Sequence, residues 1–245
     1  MNVQQIYEFL NNRAPFATAE EWDNPGLLVG APHQEVSRVL VALDATTGAL
    51  DTACALDTDL IITHHPVIFA PLKRLKGDSI PYRLAAEGIS LIAAHTNLDK
   101  AQGGVNDTLA QRLGLTDVTV AEDGYTRIGT LQEPLSARDF AAHVAAVLDA
   151  PVRYAGDQPV TTVAVCGGGG GDFIAGCAHL ADAYVTGEVK HHEWLENAER
   201  INVVEAGHYA TEVPVVGTLA SWLEEAFPDL TVTIYRDGNP YDVIT

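Results

Sequence analysis

Two patterns of hydrophobic residues recur along the chain: a helical spacing, and short continuous apolar runs typical of buried strands. Val3, Ile6 and Leu10 share helical spacing, which predicts an amphipathic helix at the start. Apolar runs predict strands at 39–43, 60–63 and 89–94, and helical patterns fall at 46–56, 81–87 and 105–113. This βαβαβ order predicts a mostly parallel sheet covered by helices.

The second half of the chain repeats the order. Strands are predicted at 160–166, 183–186, 201–205 and 230–235. Helices are predicted within 135–154 and at 173–181 and 191–198, and a C-terminal helix contains 221–223. Residues 39–41 align with 163–165 and 59–63 with 183–187 at an offset of 124, and His95 and Asp99 align with His208 and Glu212 at an offset of 113. We interpret this as an α/β fold of two similar βαβ-type lobes, 1–124 and 125–245, whose C-terminal helix and strand could pack on the first lobe. A chance likeness between two generic βαβ units is the alternative.

Histidines and carboxylates follow three of the predicted strands. The segments are Thr63-His64-His65-Pro66, His95-Thr96-Asn97-Leu98-Asp99 and His208-Tyr209-Ala210-Thr211-Glu212. Imidazoles and carboxylates are the ligands of hydrolytic transition-metal sites. The sequence therefore predicts a metal site in the cleft where these strand ends meet.

Each of these residues also has a structural interpretation. Neighbours on a strand point to opposite faces, so His64 and His65 could address two metals, or one metal and an outer partner. Asp99 and Glu212 suit the bridging of two cations, and a helix N-cap is the alternative for each. His95 could be a ligand, an outer partner or a proton carrier, and we favour one of the last two.

The run of five glycines at 167–171 lacks the lysine of a phosphate-binding P-loop. It indicates either a tight turn or a backbone approached closely by a ligand. Further along, Glu188 and Lys190 could face the cleft. His191 and His192 could be a polar helix start or part of the site.

The charge balance is strongly acidic, with 33 acidic and 14 basic residues and a formal net charge of −19. Such a chain has little from which to build the cationic face of a duplex nucleic-acid binder. Adaptation to a high-salt cytoplasm and an ordinary acidic protein both remain open. Three widely spaced cysteines favour free thiols in a reducing compartment, and the sequence has no signal-like start or apolar membrane span, so we expect a cytoplasmic protein.

Taken together, the motifs resemble the family of GTP cyclohydrolase I type 2 homologues, also called Nif-three-like proteins, over nearly the whole chain. The matching segments are 22–30, 63–66, 95–99, 166–168, 186–192 and 207–212. The resemblance implies a dinuclear metal site on His64, His65, Asp99, His208 and Glu212, two similar α/β lobes, and a ring-shaped homohexamer. Gly170-Gly171 departs from the serine that relatives often carry there.

The family name implies hydrolysis of the imidazole ring of GTP with release of formate. Ligand type points to two divalent ions of Zn, Fe, Mn, Ni or Co without choosing among them. Binding of the GTP triphosphate would need Arg127, Arg153, Lys190 or the glycine-rich turn. A non-catalytic metal-binding or partner-regulating protein, and a nucleotide-binding α/β domain without metal, are the alternatives.

Overall fold

The computed structural model describes residues 1–242. The chain forms two compact units: the first comprises Met1–Gly104 with Val215–Pro240, and the second comprises Val105–Pro214 with 241–242. This division differs from the predicted one after residue 124. Within the described residues, no helix combines the length and apolar character needed to cross a membrane.

The strands and helices follow in chain order. The strands are β1 Gly26–Val29, β2 Arg38–Ala42, β3 Leu60–Thr63, β4 Ser90–Ala93, β5 Thr116–Val120, β6 Arg127–Leu135, β7 Arg153–Ala155, β8 Val160–Cys166, β9 Ala183–Thr186, β10 Asn202–Glu205 and β11 Thr231–Ile234. The helices are α1 Val3–Arg13, α2 Thr47–Ala55, α3 Ile80–Glu87, α4 Thr96–Lys100, α5 Val105–Arg112, α6 Ala137–Leu148, α7 Ile174–Cys177, α8 His191–Asn197, α9 His208–Glu212 and α10 Pro214–Ala226. Short 3₁₀ helices occupy Phe16–Thr18 and Gly170–Phe173.

The first unit contains a five-stranded sheet in the order β1-β4-β3-β2-β11. Strands β4, β3, β2 and β11 are parallel, and β1 runs antiparallel to β4. Every residue of β3 and β4 is buried, which is typical of parallel strands covered on both faces. The core on one face includes Leu40, Leu50, Ile61, Leu84 and Leu91.

The second unit contains a six-stranded sheet in the order β5-β6-β8-β9-β10-β7. Its parallel centre, β8-β9-β10, is flanked by β6 and β7, each antiparallel to its neighbour, and β5 pairs antiparallel with β6. The predicted α/β class with two βαβ-type lobes is confirmed. Strands β5, β6 and β7 are additions to the prediction, and the helix predicted at 173–181 is shorter, a 3₁₀ turn running into α7.

The strand registers correct the predicted alignment of the two halves. Val39 pairs with Leu60 in the first sheet, and Val163, its partner at an offset of 124, pairs with Ala183 in the second. Leu60 therefore corresponds to Ala183, at an offset of 123, so the predicted match of 59–63 with 183–187 was wrong by one residue.

An aspartate that makes the same hydrogen bonds in each unit supports this register. Oδ2 of Asp59 accepts hydrogen bonds from the backbone N–H groups of residues 37–38, and Oδ2 of Asp182 accepts them from residues 161–162. Each carboxylate stands one residue before its strand and ties that strand to the start of its neighbour. Asp59 therefore corresponds to Asp182.

The same reasoning separates the two histidine motifs. The N–H of Ala94 donates to the carbonyl of Thr63, and the N–H of Ala206 donates to the carbonyl of Thr186. Ala94 thus corresponds to Ala206, and α4 and α9 each begin two residues later. His208 therefore stands one position further along than His95, and the predicted equivalence of the two motifs was wrong.

Candidate metal centre

Three imidazoles cluster where β3 and β4 end in the first unit. Because β3 ends at Thr63, His64 and His65 lie beyond the strand, and alternation does not send their rings to opposite faces. Their ring centroids are 4.8 Å apart. His95, directly after Ala94, brings its ring to 5.2 Å from that of His64 and 5.5 Å from that of His65. One ligand nitrogen from each of the three lies within 4.8 Å of the others.

The Nδ1 atom of each of these imidazoles is anchored by an oxygen acceptor. Nδ1 of His64 lies 2.9 Å from the carbonyl oxygen of Ala94. Nδ1 of His65 lies 2.8 Å from Asp44 Oδ1, and Nδ1 of His95 lies 2.8 Å from Asp23 Oδ1. Since a carbonyl or carboxylate oxygen only accepts, Nδ1 carries the proton in each ring. Nε2 is therefore the nitrogen whose lone pair can bind a metal.

Asp99 lies inside α4 and close to this cluster. The N-cap position of α4 is His95, so the alternative interpretation of Asp99 as an N-cap is wrong. Its Oδ1 lies 3.6 Å from Nε2 of His64, whose side chain is fully buried. Asp99 therefore adds a carboxylate oxygen on the Nε2 side of His64.

Electrostatics keep His95 neutral and Asp23 ionised. Burial lowers the pKa of His95 and the neighbouring His64 adds to this effect, which outweighs the opposing influence of Asp23. Burial opposes the ionisation of Asp23, but hydrogen bonds from Thr96 and His95 outweigh it and lower the pKa of the carboxyl group. His95 is thus a neutral imidazole in a fixed orientation at neutral pH.

The second unit presents a histidine and a carboxylate on one helix. His208 and Glu212 are the first and last residues of α9, one turn apart, with His208 Nε2 3.0 Å from Glu212 Oε2. Nδ1 of His208 lies 2.9 Å from Oε1 of Glu188. Gly207 holds the N-cap position, so Glu212 is not an N-cap either.

Two glycines make room for this pair. Gly168 has φ +58°, and a Cβ there would lie 2.0 Å from Oε1 of Glu212. A Cβ on Gly187 would lie 2.7 Å from Cα of His208. The glycine run therefore serves as a tight turn against which the candidate ligands pack.

The cations predicted to grip phosphate are engaged elsewhere. Nε of Arg127 lies 2.6 Å from Asp107 Oδ1, and the guanidinium of Arg153 pairs with the carboxylate of Glu205. Nζ of Lys190 lies 2.9 Å from Asp172 Oδ1 and 3.0 Å from Glu193 Oε1. His191 and His192 are exposed at the start of α8, consistent with a polar helix start.

Sequence reasoning missed the acceptors that orient the imidazoles. Asp44 comes two residues after β2 and Asp23 lies in the turn before β1. A carboxylate just past a strand end was the available signal for Asp44, whereas Asp23 reaches His95 across 72 positions of sequence. A pocket of 640 Å³ lies beside Asp44 and His65 and gives space at this end of the sheet.

The donors fit a divalent first-row metal ion. Anchored imidazoles with a carboxylate near Nε2 are the expected ligand set for Zn, Fe, Mn, Ni or Co, and thiolates are absent from the clusters found among the described residues. These histidine and carboxylate groups could therefore hold a metal ion.

Comparison with known proteins identifies the family of this chain. The Duf34/NIF3 family model (NGG1p interacting factor 3) matches residues 1–240. A Nostoc protein named GTP cyclohydrolase 1 type 2 homolog is 38% identical over 215 residues, 81% of this chain and 80% of the relative. A protein of the same name from Streptomyces coelicolor is 36% identical over 244 residues, 91% of this chain and 86% of the relative. The crystal structure of Staphylococcus aureus protein SA1388 has a TM-score of 0.93 and 27% identity, and covers 100% of this chain and 99% of its own. The chain therefore belongs to the Duf34/NIF3 family.

Proposed function

We propose that this protein is a hydrolase that uses two divalent metal ions, with His64, His65, Asp99, His208 and Glu212 as the ligands. The observation that carries the proposal is the anchoring of Nδ1 in His64 and His65, which leaves Nε2 of each ring for a metal. Two bound ions would supply a water of lowered pKa and would stabilise developing negative charge.

His95 acts as the proton carrier in this proposal. Burial keeps the imidazole neutral and the bond to Asp23 fixes its orientation, so the ring can accept a proton from water and return it to a leaving group. Asp23 holds the ring in place and favours the imidazolium that forms.

The proposed substrate is nucleotide-like, with GTP as the candidate. Hydrolysis would open the imidazole ring of the base and release its C8 carbon as formate. The names of the Nostoc and Streptomyces relatives support this choice.

The test combines metal analysis with an assay for formate. Elemental analysis should find about two ions per chain in the intact protein, and the variants His64→Ala and Glu212→Ala should lose metal. His95→Gln should keep its metal and release formate at least about 100-fold more slowly, as expected for loss of a general acid–base group. The exposed His33 supplies the control, and His33→Gln should match the parent protein in both measurements.

Two outcomes separate the parts of the proposal. Full metal content in both ligand variants would overturn the assigned ligands. Bound metal without formate under any of the five metals would overturn the reaction and leave a metal-binding protein.

We also propose that the protein assembles as a ring-shaped homohexamer in the cytoplasm, which the family resemblance supports. With a chain of 26.1 kDa, light scattering should give about six times that mass. A monomer or dimer at working concentration would contradict the assembly.

A further inference from the structure

An exposed aromatic pair lies beside the imidazole cluster in the first unit. Trp22 is 60% exposed and Phe69 is 54% exposed, although both are large apolar side chains. Their ring centroids are 5.8 Å apart with the planes tilted by 46°. Each ring centroid lies 6.3 Å from that of His95. The pair therefore presents exposed aromatic surface beside the proposed proton carrier.

Hydrogen bonds fix the two segments that carry these rings. Next to Trp22, Asp23 binds His95 and accepts from both the N–H and the hydroxyl of Thr96. Nδ2 of Asn24 donates to the carbonyl oxygen of Ile68, one residue before Phe69, at 2.6 Å. The aromatic pair is thus built into the framework that orients His95, which is unusual for an incidental surface feature.

A cationic segment continues directly from Phe69. Residues 69–78 are all exposed, and Lys73, Arg74 and Lys76 place three of the fourteen basic residues of the chain within four positions. Among the residues that the structure describes, none of these three forms an ion pair. In a chain with a net charge of −19, such a cluster is suited to bind an anion that the rest of the surface repels.

We propose that Trp22, Phe69 and the segment 73–76 form a substrate subsite for a planar aromatic ring that carries phosphate. The ring stacks on the aromatic pair, which brings its edge towards His95, and the phosphates lie against the three cations. Sequence-tolerant stacking on exposed aromatic side chains, combined with nearby cations, is a common way to bind nucleotides. This assignment rests on the proposed function because it names the part of the site that would recognise the substrate.

Charge distinguishes this occupant from a protein partner. The segment also exposes Leu72 and Leu75, which could pack on another polypeptide. Three unpaired cations beside two aromatic faces, at the edge of a candidate catalytic centre, favour a small anionic heterocycle instead. Self-association through the segment is treated as an outcome of the test.

Calorimetric titration of the intact, metal-loaded protein tests the subsite with three probes: GTP, guanosine and inorganic triphosphate. Trp22→Leu and Phe69→Leu should each weaken GTP and guanosine binding by about 10-fold, the loss expected for one stacking contact, and leave triphosphate binding unchanged. The triple variant Lys73→Gln/Arg74→Gln/Lys76→Gln should weaken GTP and triphosphate binding by at least about 10-fold at low salt, with guanosine unaffected.

Matched controls come from exposed residues of the second unit. Tyr154→Leu removes an exposed aromatic ring, and Arg112→Gln/Arg138→Gln/Arg200→Gln removes the same number of charges. Both should bind all three probes as the parent protein does. Metal content, measured in every variant, should stay constant because no substituted residue is a proposed ligand.

The possible failures are distinguishable. Parent-like GTP binding by Trp22→Leu and the triple variant, or no binding by the parent protein, would overturn the subsite whatever the formate assay gives. Binding that depends on Trp22 but yields no formate would overturn the reaction and keep the subsite. A change in oligomeric mass in the Trp22 and Phe69 variants with unaltered ligand binding would assign the patch to contacts between copies of the chain.

Discussion

The two units use the same strand framework but place their candidate ligands at different points on it. Ala42 pairs with Thr63 in the first unit as Cys166 pairs with Thr186 in the second. Counting onward from these pairs, Asp44 corresponds to Gly168 and His64 to Gly187. The first unit carries side chains at the ends of its first two parallel strands, and the second unit carries glycine at both places.

This difference explains how each unit presents a ligand. The first unit holds His64 and His65 after its middle parallel strand and orients them from Ala94 and Asp44. In the second, the space left by two missing side chains is filled by His208 and Glu212 from α9. The same strand framework can thus present different metal-binding side chains. In the first unit they follow a strand directly, and in the second they lie on the helix after the last parallel strand of the sheet centre.

The largest expected effect on stability comes from adding a side chain at a glycine of the second unit. Gly168→Ala puts a Cβ against the carboxylate of Glu212 in a left-handed backbone conformation, and should lower the free energy of unfolding by about 2–5 kcal/mol. Gly169→Ala is the control, because no heavy atom lies within 4 Å of its Cβ and its φ is −82°. Chemical denaturation measures both, and equal stabilities would show that the glycine is not required for packing.

The hydrogen-bond acceptors that orient the candidate ligand histidines provide the next comparison. Asp44→Asn should weaken metal binding by about 10- to 100-fold, as is usual when the outer partner of a ligand histidine is lost. Glu188→Gln should have a smaller effect, because the Glu188 side chain is 63% exposed and water can replace it on His208. Competition with a chromogenic chelator measures both affinities. A larger loss for Glu188→Gln would reverse the ranking of the two units.

Asp59 and Asp182, the corresponding carboxylates that each bind the neighbouring strand, should differ in their contribution to the free energy of unfolding. Burial opposes ionisation of Asp59, but hydrogen bonds from Ser37 and Arg38 outweigh it and lower the pKa of the carboxyl group. Asp59→Ala should cost about 1–3 kcal/mol near pH 7, and Asp182→Ala less, since Asp182 is exposed and lacks the third bond that Ser37 Oγ gives Asp59.

The pH dependence of this contribution has a definite sign. A carboxyl group with a lowered pKa in the folded state stabilises the protein fully above its unfolded pKa of about 3.9, and the stabilisation is lost as the pH falls through the folded value. The difference in unfolding free energy between the parent protein and Asp59→Ala should therefore shrink below about pH 4. A difference that grows on acidification would contradict the hydrogen-bonding role.

The smallest effects should come from the adjacent histidines of α8. Both are exposed, and neither belongs to a cluster of potential metal ligands in the part of the chain described. His191→Ala and His192→Ala should each change stability by less than about 0.5 kcal/mol and leave metal content unaltered. Loss of metal in either variant would extend the site to α8.

The sequence predicted the parallel centres of both sheets because their strands are continuous apolar runs. These continuous apolar runs do not specify the strand register. A strand buried on both faces, such as β3 or β9, remains apolar when its alignment is shifted by one residue. Hence the halves were aligned one residue out, and His95 was matched with His208. Strands β5 and β6 escaped prediction because β5 is wholly exposed and β6 contains Gly129 and Pro134.

Part of the candidate site followed from residue type and position, since His64, His65 and Asp99 were predicted from strand ends. Their partners did not follow. Whether Asp23 reaches His95 depends on how the turn before β1 folds back onto α4, and no local periodicity encodes that contact. The exposed aromatic pair was likewise not predicted, because the sequence does not distinguish an exposed Trp22 from a buried one.

The anchored Nδ1 atoms have a consequence for selectivity. In His64 and His65 the fold itself leaves Nε2 unprotonated, so binding of a cation there would need neither ring rotation nor a change of tautomer. Such stiffness lowers the entropic penalty of capture for every cation of suitable size. Selection among these cations would then depend more on which metal the cell supplies than on the geometry of the candidate metal centre.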